Sequence, residues 1–101
     1  MAREEIKFPE GLDIRTAEGQ QQLVKIALLH QLDISEDQIV PEANLKDDLE
    51  ADSLDAVELI QVIEEGASHY GVEIEIKDDR ASALKTVGDV YSALDELISA
   101  A

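Results

Sequence analysis

Residues 50–71 read EADSLDAVELIQVIEEGASHYG, and the fold turns on whether a serine set between two aspartates opens a helix there. Beyond it Leu59, Ile60, Ile63, Ala67 and Tyr70 recur at helical spacing, which predicts a helix running to about His69 despite Gly66, with Gly71 as its stop. Asp52 or Ser53 begins it, because either side chain accepts a hydrogen bond from the free N–H groups of a first turn. Asp52 and Asp55 also put negative charge at the positive end of the helix dipole. Hydrophobic residues make up 45% of the chain and aromatics only 3%, so the core is built from Leu, Ile, Val and Ala, the residues of packed helices.

Upstream lies DISEDQIVPEANLKDDLEAD, residues 33–52, in which Ser35 and Gln38 have capping-box spacing for one short turn and Pro41 prevents a longer helix. Ile34, Ile39, Leu45 and Leu49 are expected to pin this long loop to the core, and loops of such length are often functional. Before it, Thr16–Leu32 is a helical pattern with Leu23, Ile26 or Ala27, Leu28 and Leu32 on one face; Gly19 blurs its start. Residues 1–15, with Pro9 and Gly11, are read as an irregular N-terminal extension ahead of a single domain over 16–101.

Downstream, VEIEI at 72–76 alternates like a strand but has no partner strand, so an extended connection is expected. A short turn or helix near Asp78–Leu84 follows. Thr86 and Asp89 then have capping-box spacing, and Val87, Val90, Leu94, Leu97 and Ile98 form a buried stripe. The expected fold is all-α: a small four-helix bundle, three main helices and one short one, with a long loop between the first two main helices.

The 101 residues suffice for one modest core and contain no cysteine, which excludes disulfides and Cys-ligated zinc and suits a reducing compartment. No apolar run is long enough to span a bilayer, and MAREEIKFPE lacks the apolar region of a signal peptide, so a cytoplasmic protein is expected. Nothing signals an oligomer, and a monomer is the default. The net charge is −16, of which residues 36–65 carry −10, so the acidity is concentrated around Ser53. Such a surface repels nucleic acid and anionic lipid and favours basic docking patches.

As a self-contained nucleophile Ser53 needs a base, and the only histidines, His30 and His69, fall near the ends of other helical turns. There is no GxSxG elbow, no EF-hand spacing among the carboxylates and no glycine-rich phosphate loop. The chain is therefore read as non-enzymatic, with no catalytic residue and no dedicated metal site. Ser53 is left as a helix cap or as a residue on which another protein acts.

DLEADSLDAVELI, residues 48–60, resembles the phosphopantetheine attachment motif of acyl carrier proteins, with Asp52, Ser53 and Leu54 at its D-S-L core. The resemblance extends over roughly residues 20–99 through LDI at 32–34, NLKDDL at 44–49 and TVGDV at 86–90. It implies that a phosphopantetheinyl transferase attaches 4'-phosphopantetheine from coenzyme A to Ser53, and that the arm's thiol carries acyl intermediates between enzymes of fatty-acid or related lipid biosynthesis. Asp52 would help present the serine; Leu54 and Val57 would give partners an apolar contact; Asp55, Glu58, Glu64 and Glu65, with Gln61 among them, would face the partners' Lys and Arg. Leu49, Leu59, Ile63 and Val87 are candidates to line a shelter for the acyl chain. Three departures stand out: Glu50 where the family commonly has Gly, Gln61 where an apolar residue often sits, and a segment 64–85 longer by about one helical turn. They keep open a specialised polyketide or peptidyl carrier, or an unmodified acidic helical adaptor with Ser53 as a helix cap.

Overall fold

The computed structural model describes residues 8–101, apart from the side chain of Ser53. Within them it places four helices: α1 Ala17–Gln31, α2 Ser53–His69, α3 Asp78–Ala83 and α4 Val87–Ala100. A 3-10 turn, Glu36–Gln38, breaks the long connection between α1 and α2. No strand occurs among the described residues, and the small all-α bundle expected from periodicity is what forms.

Three of the four helices, α1, α2 and α4, begin where a polar side chain accepts one of the first free donors; α3, with Lys77 at its N-cap, has no such bond. Thr16 Oγ1 accepts the Gly19 N–H at 3.0 Å ahead of α1. Ahead of α4, Thr86 Oγ1 accepts the Asp89 N–H at 3.1 Å while Asp89 returns a carboxylate oxygen to the Thr86 N–H at 3.1 Å. In the long loop, Ser35 donates its N–H to Gln38 Oε1 at 2.9 Å, as the spacing predicts. α2 stops in a paired C-terminal motif: Gly71 adopts φ 85°, its N–H donates to the Ser68 carbonyl at 3.0 Å, and the Val72 N–H donates to the Ala67 carbonyl at 2.9 Å. Beyond it VEIEI runs unpaired, with Val72 and Ile76 buried and Ile74 half-buried.

α1 packs against α2 and α4, and α3 against α2. The α1–α2 pair is antiparallel: Leu23 meets Gly66 at one end, while Gln31 Nε2 donates to Glu58 Oε2 at 3.3 Å at the other. Leu23, Val24 and Leu28 of α1, Ile63 of α2, and Val87 and Leu94 of α4 are fully enclosed. Each is worth about 1.5–3 kcal/mol of burial, the scale that holds so small a bundle together. Ile14, 2% exposed, joins this core from the segment before α1, and Phe8 and Leu12 pack at its edge. The expected N-terminal extension is thus irregular but docked over residues 8–15; residues 1–7 lie outside the described residues.

The long loop is fastened as its apolar residues predict, with Ile39, Leu45 and Leu49 buried and Ile34 half-buried. It also makes backbone bonds that periodicity does not reveal. The N–H groups of Val87 and Gly88, the first two of α4, donate to the carbonyls of Ala43 and Pro41 at 3.0 and 2.9 Å, and the Leu45 N–H donates to the Lys85 carbonyl at 2.8 Å. The loop therefore caps α4 while leading into α2.

Candidate functional site

The start of α2 is set by two aspartates. Asp52 Oδ1 accepts the Asp55 N–H at 2.9 Å, and the Asp52 N–H donates to Asp55 Oδ2 at 3.2 Å, which closes a reciprocal capping box. Asp52 is therefore the N-cap and Ser53 the first helical residue, which corrects the reading of Ser53 as the cap. Before α2 the chain turns through Asn44, whose carbonyl accepts from Asp48 and Leu49 and whose side-chain oxygen accepts the N–H groups of Lys46 and Asp47 at 3.0 and 2.9 Å. Glu50 then takes φ 56°, the left-handed region that an L side chain enters only at a cost. Ala51 follows, buried, its N–H donated to the Leu45 carbonyl at 2.8 Å.

One turn into α2, Leu54 is 66% and Val57 53% exposed, two large apolar side chains side by side in water. Asp55 is half-buried in the capping box, whereas Gln61 and Glu65 are exposed farther along. Glu58 and Glu64 are each half-buried and engaged inside the fold. Glu58 accepts from Gln31, and Glu64 Oε2 accepts the Ile76 N–H at 2.7 Å, tying the extended connection to α2. The two histidines stand apart from this arrangement. His69 ends α2, its ring 5.2 Å from Phe8 and 4.9 Å from Tyr70, and a helix of that length separates it from Ser53 by about 24 Å. His30 is half-buried in the last turn of α1.

On the other side of the α2 start an open cavity of about 820 Å³ lies between the 44–52 loop, α2 and α3. Its apolar wall is Leu45, Ala51, Ala56, Val57, Ala81 and Leu84. Leu49, Leu59, Ile63 and Val87, the side chains expected to line an acyl shelter, sit instead in the closed core at 3%, 2%, 0% and 0% exposure and do not border this cavity. Periodicity ranked residues by apolarity along helices, and the cavity wall is made largely by loop and α3 residues whose position depends on tertiary packing. Lys46 and Lys85 also border the cavity, each following a leucine, in Leu45-Lys46 and Leu84-Lys85. That repeated pair was the only signal of them in the sequence.

Residues 22–94 match the family model for the phosphopantetheine attachment site. An acyl carrier protein of Thermosynechococcus vestitus is 44% identical over 77 residues, 76% of this chain and 89% of that protein. The match takes in α2, the long loop, the cavity and most of α4. The chain belongs to the acyl carrier protein family, a carrier rather than an enzyme, whose cofactor is covalently attached 4'-phosphopantetheine.

Proposed function

We propose that Ser53 is the attachment residue and that the loaded chain shuttles acyl groups between enzymes of fatty-acid or related lipid biosynthesis in the cytoplasm. The observation that carries this reading is the capping box: Asp52, not Ser53, is the N-cap of α2, which sets Ser53 as the first helical residue, next in the chain to the exposed Leu54 and to Asp52 at the rim of an open cavity. The surroundings fit such an arm. Water meets the Leu54–Val57 side, and the Leu45–Ala51–Ala56–Leu84 wall offers apolar cover on the other.

The Ser53 hydroxyl is activated in trans, by a base that the transferase supplies. In the site of a phosphopantetheinyl transferase holding Mg2+, the serine oxygen bonds to the nearer phosphorus of the coenzyme A pyrophosphate, the bond to the nucleotide half breaks, and the hydroxyl proton passes to a base of the transferase. The attached arm supplies a thiol that holds acyl groups as thioesters in a protein with no cysteine of its own. Asp52 and Asp55 fix the direction of the α2 start, so the serine is presented from a rigid element. Leu54 and Val57 give partners an apolar contact, and Glu65 and Gln61 with the half-buried Asp55 and Glu58 form a rim that meets basic docking patches. Such charges speed encounter more than they hold the complex, so association weakens as salt rises. Glu64 serves this rim least, because its carboxylate is already committed to Ile76.

The experiment is intact mass spectrometry of the wild type and of Ser53→Ala after incubation with coenzyme A, Mg2+ and a permissive transferase. One phosphopantetheine addition to the wild type and none to the variant is expected. A wild type that gains no mass with several transferases sinks the reading and leaves an acidic adaptor on a carrier's fold.

A further inference from the structure

Of 24 acidic and 8 basic side chains, two of the basic ones, Lys46 and Lys85, border the cavity beside the start of α2. One residue brings them there. The Leu45 N–H donates to the Lys85 carbonyl at 2.8 Å, and the Leu45 carbonyl accepts the Ala51 N–H at 2.8 Å. Leu45 thus ties the backbone of Lys85 and the segment two residues ahead of Ser53 to one residue, with Lys46 next to it in the chain. A lysine ammonium is a compact point charge on a long flexible stem, suited to a phosphate oxygen.

Asp47, Asp52 and Asp78 border the same cavity, so both ammoniums have carboxylates near at hand. Among the described residues neither lysine forms an ion pair with any of them, although the charge of Lys85 does act on Asp89. Asp52 spends one oxygen on the Asp55 N–H instead. Two lysines with no ion pair among the described residues, both bordering the cavity at the start of α2 in a chain of net charge −16, are placed for an anion that the chain itself does not contain.

We infer that Lys46 and Lys85 form a cationic clamp for the phosphodiester of the arm on Ser53, holding the root of the arm on the cavity side of α2. The inference rests on Ser53 being the attachment residue. The clamp makes Lys46 and Lys85 positioning residues: they bias the arm toward the cavity between transfers, and a partner's own Lys or Arg competes for the same phosphate when the arm is drawn out. The bias is electrostatic and partly exposed, so added salt loosens it.

The test uses protein loaded by a transferase, with loading checked by intact mass, and reads the 31P resonance of the phosphodiester. The wild type, Lys46→Gln/Lys85→Gln, Lys46→Arg/Lys85→Arg and a control of equal charge change, Lys25→Gln/Lys77→Gln, are compared at about 20 and 300 mM NaCl, where the screening length falls several-fold. The wild-type resonance at low salt is expected to be displaced from that of the Gln double variant and to move toward it at high salt. The Arg double variant and the control are expected to stay with the wild type. Coincident resonances of wild type and Gln variant at low salt overturn the clamp, as does an equal displacement in the control, which marks a net-charge effect. A wild type that takes up no arm overturns the attachment reading first and the clamp with it, whereas loaded protein with coincident resonances overturns the clamp alone.

Discussion

Glu50 holds φ 56° three residues ahead of Ser53, at a position where the resembled motif commonly has Gly. A non-glycine residue in the left-handed region costs roughly 1–2 kcal/mol, part of which the more flexible unfolded state of a Gly variant takes back. Glu50→Gly is therefore expected to stabilise the fold by about 0.5–1 kcal/mol, read as a rise in the urea midpoint at unchanged m-value. A fall in the midpoint would mean that the Glu50 side chain makes a compensating contact. Two residues on, the Asp52 capping box aims α2, with Ser53 as its first residue.

At the scale of the element, α4 shows how a helix start responds to acid. Asp89 accepts the N–H groups of Lys85 and Thr86 at 2.9 and 3.1 Å, and these bonds to its ionised form hold its carboxyl below the usual 3.8. A carboxyl depressed in the folded state contributes stability that is present above its unfolded value and is lost as pH falls through the folded one. Asp89→Asn is accordingly expected to cost about 1 kcal/mol near neutral pH, the worth of a helix cap, and the gap between wild type and variant should close as pH falls below about 4. Melting followed by circular dichroism between pH 7 and 3 measures it; a gap that stays constant would show that ionisation is not what the cap uses. Because the α4 start also takes its first donors to the Pro41 and Ala43 carbonyls, loosening it loosens the loop that leads to α2.

For the whole molecule the dominant long-range term is charge. A net −16 on a bundle with a 12.5 Å radius of gyration repels itself, and most of it sits between residues 36 and 65. The one ion pair recorded among the described residues, Arg80 with Glu96, is on the surface and contributes little against that repulsion. Raising NaCl from about 10 to 200 mM, or adding Mg2+, is expected to raise the melting temperature, because screening acts on repulsion here more than on attraction. A melting temperature indifferent to both would show that the acidic loop and α2 keep their charges far enough apart not to interact.

The four helices, the Thr86–Asp89 capping box, the choice of Asp52 or Ser53 for the start of α2, the Gly71 stop and the unpaired VEIEI connection were all legible, because each depends on residues within one or two turns of one another; the Thr16 cap was not, since Thr16 reads as part of the helical pattern itself. The motif around Ser53 was legible too, since attachment chemistry is recognised by a local pattern. Three things depended on chain segments far apart in sequence. Gly19 and Gly66 look like flaws in helical patterns, yet a Cβ on Gly19 would lie 1.8 Å from the Asp13 carbonyl oxygen and one on Gly66 2.4 Å from a Leu23 methyl. They are the sites where the pre-helix segment crosses α1 and where α1 meets α2. The cavity wall belongs to Leu45, Ala56 and Leu84 rather than to the most apolar helix positions, because those positions are consumed by the closed core. Lys46 and Lys85, 39 residues apart, meet at one cavity only because Leu45 bonds to both sides of it. Local patterning by itself determined which helices form and which family motif heads α2; packing and loop-to-helix hydrogen bonds decided what surrounds that helix start, since no periodicity encodes which distant backbones will touch.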